Sequence, residues 1–255
     1  AGSLVVALVV LASVSPGGMR SITFVQAFQF WVKLTALLVP VCVLLAVWMA
    51  DGAADPSTSA PSSWSVPLAT PGGGIGLYTT YSLIVATFLG TMGLPHVLVR
   101  FYTNPDGRAA RRSALAVIAL LGGFYLFPTV LAALARIFVP QVLITGKADA
   151  VVLLLPSAAI AGIGGQLLGA LVAAGAIAAF LATSSGLLVS VAGAVSTDLL
   201  RGRVRDFRIA AVVGGLLPIP LALAASSFEL SRGVGLVSAV AASTLCPLLV
   251  LGIGW

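Results

Sequence analysis

The sequence predicts an all-α polytopic membrane protein, and three observations lead there. Hydrophobic residues make up 60% of the 255 residues and charged residues only 8%, whereas ordinary soluble domains carry about 25% charged residues. The mean hydropathy is +1.15, and the apolar residues gather in runs of about twenty or more, the length a helix needs to cross a bilayer. These runs lack the alternation over about ten residues that marks an outer-membrane barrel, and a backbone in lipid must otherwise pair its polar groups within helices.

The formal net charge is +6. Its arginines stand mainly in two short loops between apolar runs, Arg100, Arg108, Arg111 and Arg112 in one and Arg201, Arg203, Arg205 and Arg208 in the other. That placement follows the positive-inside rule of membrane topology and gives no reason to invoke nucleic acid. Cys42 and Cys246 both fall in apolar runs and read as packing residues, with no disulfide or metal site expected.

In chain order, residues 1 to 14 are apolar and end at a turn, Ser15-Pro16-Gly17-Gly18-Met19-Arg20. The chain opens inside an apolar run without an initiator Met and stops at Trp255 before any polar tail, so it reads as an internal piece of a longer protein. A second span runs from about Ser21 to Ala50, with Gln26, Gln29 and Lys33 in its first turns; Lys33 is near enough to the interface to snorkel. Residues 51 to 76 are rich in Ser, Pro, Gly and Ala, lack Lys and Arg, and read as an extracytoplasmic loop.

The next span, about Leu77 to Val99, is interrupted. Gly90, Thr91, Gly93, Leu94, Pro95 and His96 fall close together, and Pro95 lacks the N–H a helix needs while the two glycines weaken the turn before it. Two readings stand side by side: an ordinary proline kink, or a broken helix whose freed amides and carbonyls line a substrate site. His96, the sole histidine, has no ligand partner at metal spacing.

A span from about Ser113 to Val139 follows the turn at Asn104-Pro105-Asp106-Gly107. Residues 140 to 165 contain an apolar run, VVLLLPSAAI, too short to cross and expected to be broken by Pro156. The next span, about 165 to 198, carries three consecutive hydroxyls, Thr183, Ser184 and Ser185, near mid-membrane depth. Hydroxyls there either return to the carbonyl one turn back or serve as oxygen ligands beside freed carbonyls. Ala179, Ala182, Thr183, Gly186, Ser190 and Gly193 recur at spacings of three and four, a stripe of small residues for close helix approach. Spans from about Ile209 to Ser226 and from Val234 onward complete the chain. The alternation of charge places the loops near 20, 100 to 112 and 198 to 208 in the cytoplasm, with six crossings of a cell (inner or plasma) membrane after the initial fragment.

The stretches GTMGLPHVLVRFYTNPDGRAARRS (90 to 113), GGMRSITFVQAFQ (17 to 29) and the small-residue segment ending at Asp198-Leu199 resemble the solute:sodium symporter family, in particular its cation/acetate branch. The resemblance covers essentially the whole chain but only the middle and later part of the family's usual length. It implies a leucine-transporter-like fold of two inverted five-helix repeats, with residues 1 to 50 ending the first and 77 to 255 forming the second, and N-terminal helices of the same protein missing. It places a cation site on the Ala179 carbonyl and on positions 182 and 183, where this chain has Ala182 in place of a hydroxyl and keeps Thr183, with Ser184 as a substitute. It also makes Gly90, Thr91, Gly93, Leu94, Pro95 and His96 the substrate-lining turn.

The function so implied is symport of a small monocarboxylate such as acetate with Na+ or H+, by alternating access and without a cofactor. The alternatives are another small solute, such as proline or pyruvate, or a symporter-like sensory module of a signalling protein. An intramembrane enzyme is disfavoured, because the spans hold no carboxylate pair, His-Glu-x-x-His motif or Ser-His-Asp candidate.

Overall fold

The computed structural model describes residues 2–14, 19–53, 73–94, 96–98, 104–139, 150–200, 202–224 and 230–254. These residues contain helices and no strand. In order they are α1 (Gly2–Val14), α2 (Met19–Ala50), α3 (Gly73–Gly93), α4 (Gly107–Phe138), α5 (Val151–Ala159), α6 (Ile163–Ala194), α7 (Val204–Leu216), α8 (Pro218–Ala224) and α9 (Leu230–Gly254). Helix α6 runs directly into a π-helical turn, Val195–Leu199, closed by a bond from Leu200 N to Val195 O at 3.1 Å.

Five helices are long and apolar enough to cross a membrane: Ile22–Ala50, Ile75–Gly93, Gly107–Phe138, Ile163–Leu199 and Gly233–Gly254. Their outward faces carry Phe24, Phe28, Phe88, Ile118, Leu167 and Leu248. Exposed apolar surface on this scale suits a hydrocarbon solvent and not water. The protein is therefore an all-α polytopic membrane protein.

Several elements differ from the sequence expectation, each for a local reason. The loop expected over 51 to 76 gives up its last residues to α3, which starts at Gly73; the first turn of a helix leaves its N–H groups unpaired in any case, so weak helix formers are tolerated there. The rest of that loop, 54 to 72, lies outside the described residues. Pro156 does not break its helix, because α5 continues through it to Ala159, and the buried Pro156 and Leu155 gain apolar contact that offsets one lost ladder bond. The span expected over 209 to 226 is instead two helices, α7 and α8, meeting at Leu217. Pro218 and Pro220 each lack the N–H that would carry the ladder on past Leu217, and neither helix alone has the length to cross.

The helices form two compact units. In the unit made of Ala1–Ser57 and Ala114–Ser226, α2 and α6 run antiparallel. Ala36 of α2 lies against Gly175 of α6, where a Cβ would collide with the Ala36 methyl, and Gln26, nearly three turns earlier on α2, meets Ala182 and Ser185. Apolar clusters lie toward either end of this pair. One joins Val10, Val14, Ile22, Leu188, Ala192 and Ala211 from α1, α2, α6 and α7; the other joins Val41, Leu44, Leu131, Leu134, Val151 and Leu155 from α2, α4 and α5. In the unit made of Thr58–Ser113 and Ser227–Trp255, α3 and α9 run parallel. Gly90 sits over the backbone of Ser238, and a Cβ on Gly93 would come within 2.9 Å of Cys246 N. The expected second repeat, 77 to 255, thus contributes to both units, since packing partners are not chain neighbours.

Backbone approach this close leaves no room for a side chain. Gly90→Ala and Gly175→Ala in the full-length protein are expected to lower stability in detergent by about 1–3 kcal/mol each, the range for overpacking a tight contact. Gly123→Ala, at a helical position with open space for a Cβ, is expected not to lower the melting temperature read by size-exclusion fluorescence.

Candidate functional site

Helix α6 and its π turn give a continuous apolar span, Ile163–Leu199, of 37 residues. Thr183 lies about 30 Å from one end and about 24 Å from the other at about 1.5 Å per residue, close to the middle. Successive residues on a helix diverge by roughly 100°, and the three hydroxyls accordingly point to three different surroundings. Thr183 is exposed. Ser184 lines a cavity of about 460 Å³, otherwise apolar, with Val10, Phe180, Leu188, Gly214 and Pro218. Ser185 is 5% exposed and donates its hydroxyl to Ala182 O at 3.1 Å.

Only Ser185 of the three returns its hydroxyl to the helix. Thr35, Thr87, Thr91, Thr129 and Thr244 each donate to the carbonyl four residues back, at 2.6–2.9 Å. The Thr183 and Ser184 hydroxyls make no hydrogen bond among the described residues. The Thr183 hydroxyl is thus exposed and outside the hydrogen bonding of α6, one turn from the half-buried Ala179. Hydroxyl and carbonyl oxygens suit a hard cation, and the described residues hold no group of three His, Cys, Asp or Glu that would suit a softer metal.

Ala182 differs. It has no side-chain oxygen, and its carbonyl already accepts from Gln26 Nε2 at 3.0 Å and from Ser185 Oγ, beyond its place in the helical ladder. Gln26 also reaches Ser185 Oγ at 3.4 Å. Gly186 makes this possible, since a Cβ there would lie 3.2 Å from Gln26 Nε2. Small residues that meet α2 include Gly175, Ala182 and Ser185, all buried; of the expected stripe of Ala179, Ala182, Thr183, Gly186, Ser190 and Gly193, Ala182 and Gly186 lie against Gln26 of α2, Thr183 is exposed, and Gly193 has open space around it. In a helix this rich in small residues two adjacent stripes satisfy the same spacing, and only the partner helix selects one.

Sequence reasoning placed Gln26 at the start of its helix but missed its partner. The available signal was an amide inside an apolar span, which in a membrane must find a hydrogen-bonding partner. Nearby, Gln29 Oε1 is buried without a partner among the described residues and lines a cavity of about 80 Å³ with Ser13 and Ser185.

In the other unit, α3 stops at Gly93, and Leu94 stands outside it. The chain turns helical again over 96–98, with Val97 N and Leu98 N both donating to Leu94 O at 3.0 and 3.2 Å. The break expected over Gly90 to Pro95 is present, with Pro95 itself outside the described residues. Gly90 and Gly93 are buried against α9, Thr91 is exposed, and Leu94 and His96 are half-buried. The two glycines thus serve helix approach as well as ending the helix. Among the charged groups, Asp106 accepts from Ala109 N to cap α4, and Asp198 accepts from Thr197 Oγ1 at 3.0 Å beside the π turn.

Length, composition and outward apolar faces define the class, an all-α polytopic membrane protein. The chain matches the model of the sodium:solute symporter family over residues 1–255, and it belongs to that family. It is 33% identical to a monocarboxylic acid transporter of Corynebacterium glutamicum over 98% of this chain and 50% of the relative. It is 37% identical to the uncharacterised symporter YwcA of Bacillus subtilis over 69% of this chain and 36% of that relative. The chain thus spans about half the length of the first of these and less of the second. No solved structure matches.

The divergence of the three hydroxyls has a direct readout. In a full-length background carrying Cys42→Ser and Cys246→Ala, Thr183→Cys is expected to react with a water-soluble thiol reagent at least tenfold faster than Ser185→Cys, measured as modification rate in membranes.

Proposed function

We propose that the full-length protein is a cation-coupled symporter of a small monocarboxylate such as acetate, working by alternating access in the cell membrane. The observation that carries this reading is the Thr183 hydroxyl, exposed, uncommitted and midway along α6. A threonine whose hydroxyl is not folded back has nothing to gain from lipid, and beside the Ala179 carbonyl it supplies oxygens to a partly dehydrated Na+. With Ala182 lacking a hydroxyl, the site has fewer protein ligands, a condition that favours weak Na+ binding or H+ coupling.

The carboxylate substrate would be met after the end of α3 at Gly93, where the chain starts again as a helix over 96–98. The amino-terminal end of a helix holds a small anion without a buried arginine. The name of the Corynebacterium relative supports a monocarboxylate, and membership of the family supports coupling to a cation. The basic loops at 100 to 112 and 198 to 208 would face the cytoplasm.

The test is radiolabelled acetate uptake by the full-length protein, with pyruvate and proline as competitors, across a range of Na+ concentrations and pH. Thr183→Ala is expected to raise the apparent KM for the cation about tenfold, the equivalent of about 1.4 kcal/mol, while Thr183→Ser stays within about threefold of wild type. Unchanged cation dependence in Thr183→Ala removes the site from residue 183, and competition by proline but not pyruvate redirects the substrate class.

A further inference from the structure

We propose that Gln26 is a positioning residue for the coupling cation, holding from α2 the peptide that links the two oxygens assigned to the cation on α6; this rests on the reading of Thr183 given above. Gln26 Nε2 donates to Ala182 O at 3.0 Å and reaches Ser185 Oγ at 3.4 Å. A carbonyl can only accept, so it is the amide nitrogen that faces it. The Ser185 hydroxyl donates to the same carbonyl at 3.1 Å, and two side-chain donors thus converge on one backbone oxygen.

That oxygen belongs to the planar unit whose other end is the Thr183 N–H. Fixing the Ala182 carbonyl fixes the plane, and with it the direction in which Thr183 projects its side chain. In the α6 ladder the same Thr183 N–H points at the Ala179 carbonyl. One clamped plane therefore sets the separation between the Thr183 hydroxyl and the Ala179 carbonyl, the pair that would bind the cation, while Gln26 itself touches neither.

The clamp is delivered by rigid elements. Ile22, one turn before Gln26, is 5% exposed in the cluster with Leu188 and Ala192, and Ala36 is locked against Gly175 further along. Gly186 leaves the space that the amide occupies. Ser185, the third member, is buried, so water does not compete for these bonds. A movement of α2 against α6 would pull on this plane and so alter cation affinity, which makes the α2 to α6 seam the mechanical side of the site.

The experiment measures cation dependence of solute uptake by the full-length protein carrying Gln26→Met, Thr183→Ala, or both. Met has the reach of Gln without its donors. Gln26→Met is expected to raise the apparent KM for the cation at least fivefold while turnover at saturating cation and solute stays within twofold. The double variant is expected to be no worse than Thr183→Ala alone, because the clamp acts through residue 183. The proposal is overturned if Gln26→Met leaves the cation KM within twofold of wild type, if the two effects multiply, or if turnover falls while the cation KM does not change. Where Thr183→Ala alone is silent, the cation site itself is misplaced; where Thr183→Ala is impaired and Gln26→Met is not, only the clamp fails. If Gln26→Met is not recovered in membranes, Gly186→Ala crowds the amide without removing it and must raise the cation KM in the same direction, an unchanged value overturning the clamp.

Discussion

In the middle of a bilayer there is no water to satisfy a polar atom, so each oxygen must be engaged by the protein or reserved for a ligand. The arrangement of α6 follows from that constraint. Its hydroxyls at 183, 184 and 185 are equivalent in sequence but not in space. Ser185 is spent on the Ala182 carbonyl, Ser184 borders an apolar cavity, and Thr183 is left uncommitted on an exposed face. Rotation along the helix alone therefore gives three adjacent hydroxyls three different surroundings.

The same constraint shapes the packing. Lipid offers no hydrophobic drive for helices to associate, so close approach of small residues and a few interhelical hydrogen bonds do that work. Gly175 against Ala36, Gly90 against Ser238 and Gly93 against Cys246 bring backbones together in the two units. The Gln26 amide adds a polar fastening between α2 and α6. Where glycine performs this role at Gly93 it also weakens the helix, and the end of α3 there combines close approach with release of the backbone.

Much of the helix inventory was legible in the sequence because long apolar runs have one solution in lipid. The spans that became α2, α3, α4, α6 and α9 agree with the expected ones to within a few residues at most ends. The exceptions involve proline. Pro156 was tolerated within α5, whereas Pro218 and Pro220 accompany division of the expected 209 to 226 span. A proline's cost depends on what surrounds the carbonyl it leaves free, and local sequence does not contain that. Of the candidate site, the run of hydroxyls and the weak turn at Gly90 to Pro95 stood out by composition, but the expected small stripe of α6 coincides only in part with the face that meets α2, because an alanine, glycine and serine helix satisfies the same spacing on adjacent faces.

By itself the sequence determined that this chain is helical, lies in a membrane, and carries oxygens and a helix-breaking turn where a soluble core would have neither, because composition and run length leave no other way to pair the backbone. Tertiary structure decided which of those oxygens remain available. That choice depends on rotation about the axis of α6 and on a glutamine 156 positions away in the chain, and such a pairing is set by the packing of two helices against each other, not by the residues of either one.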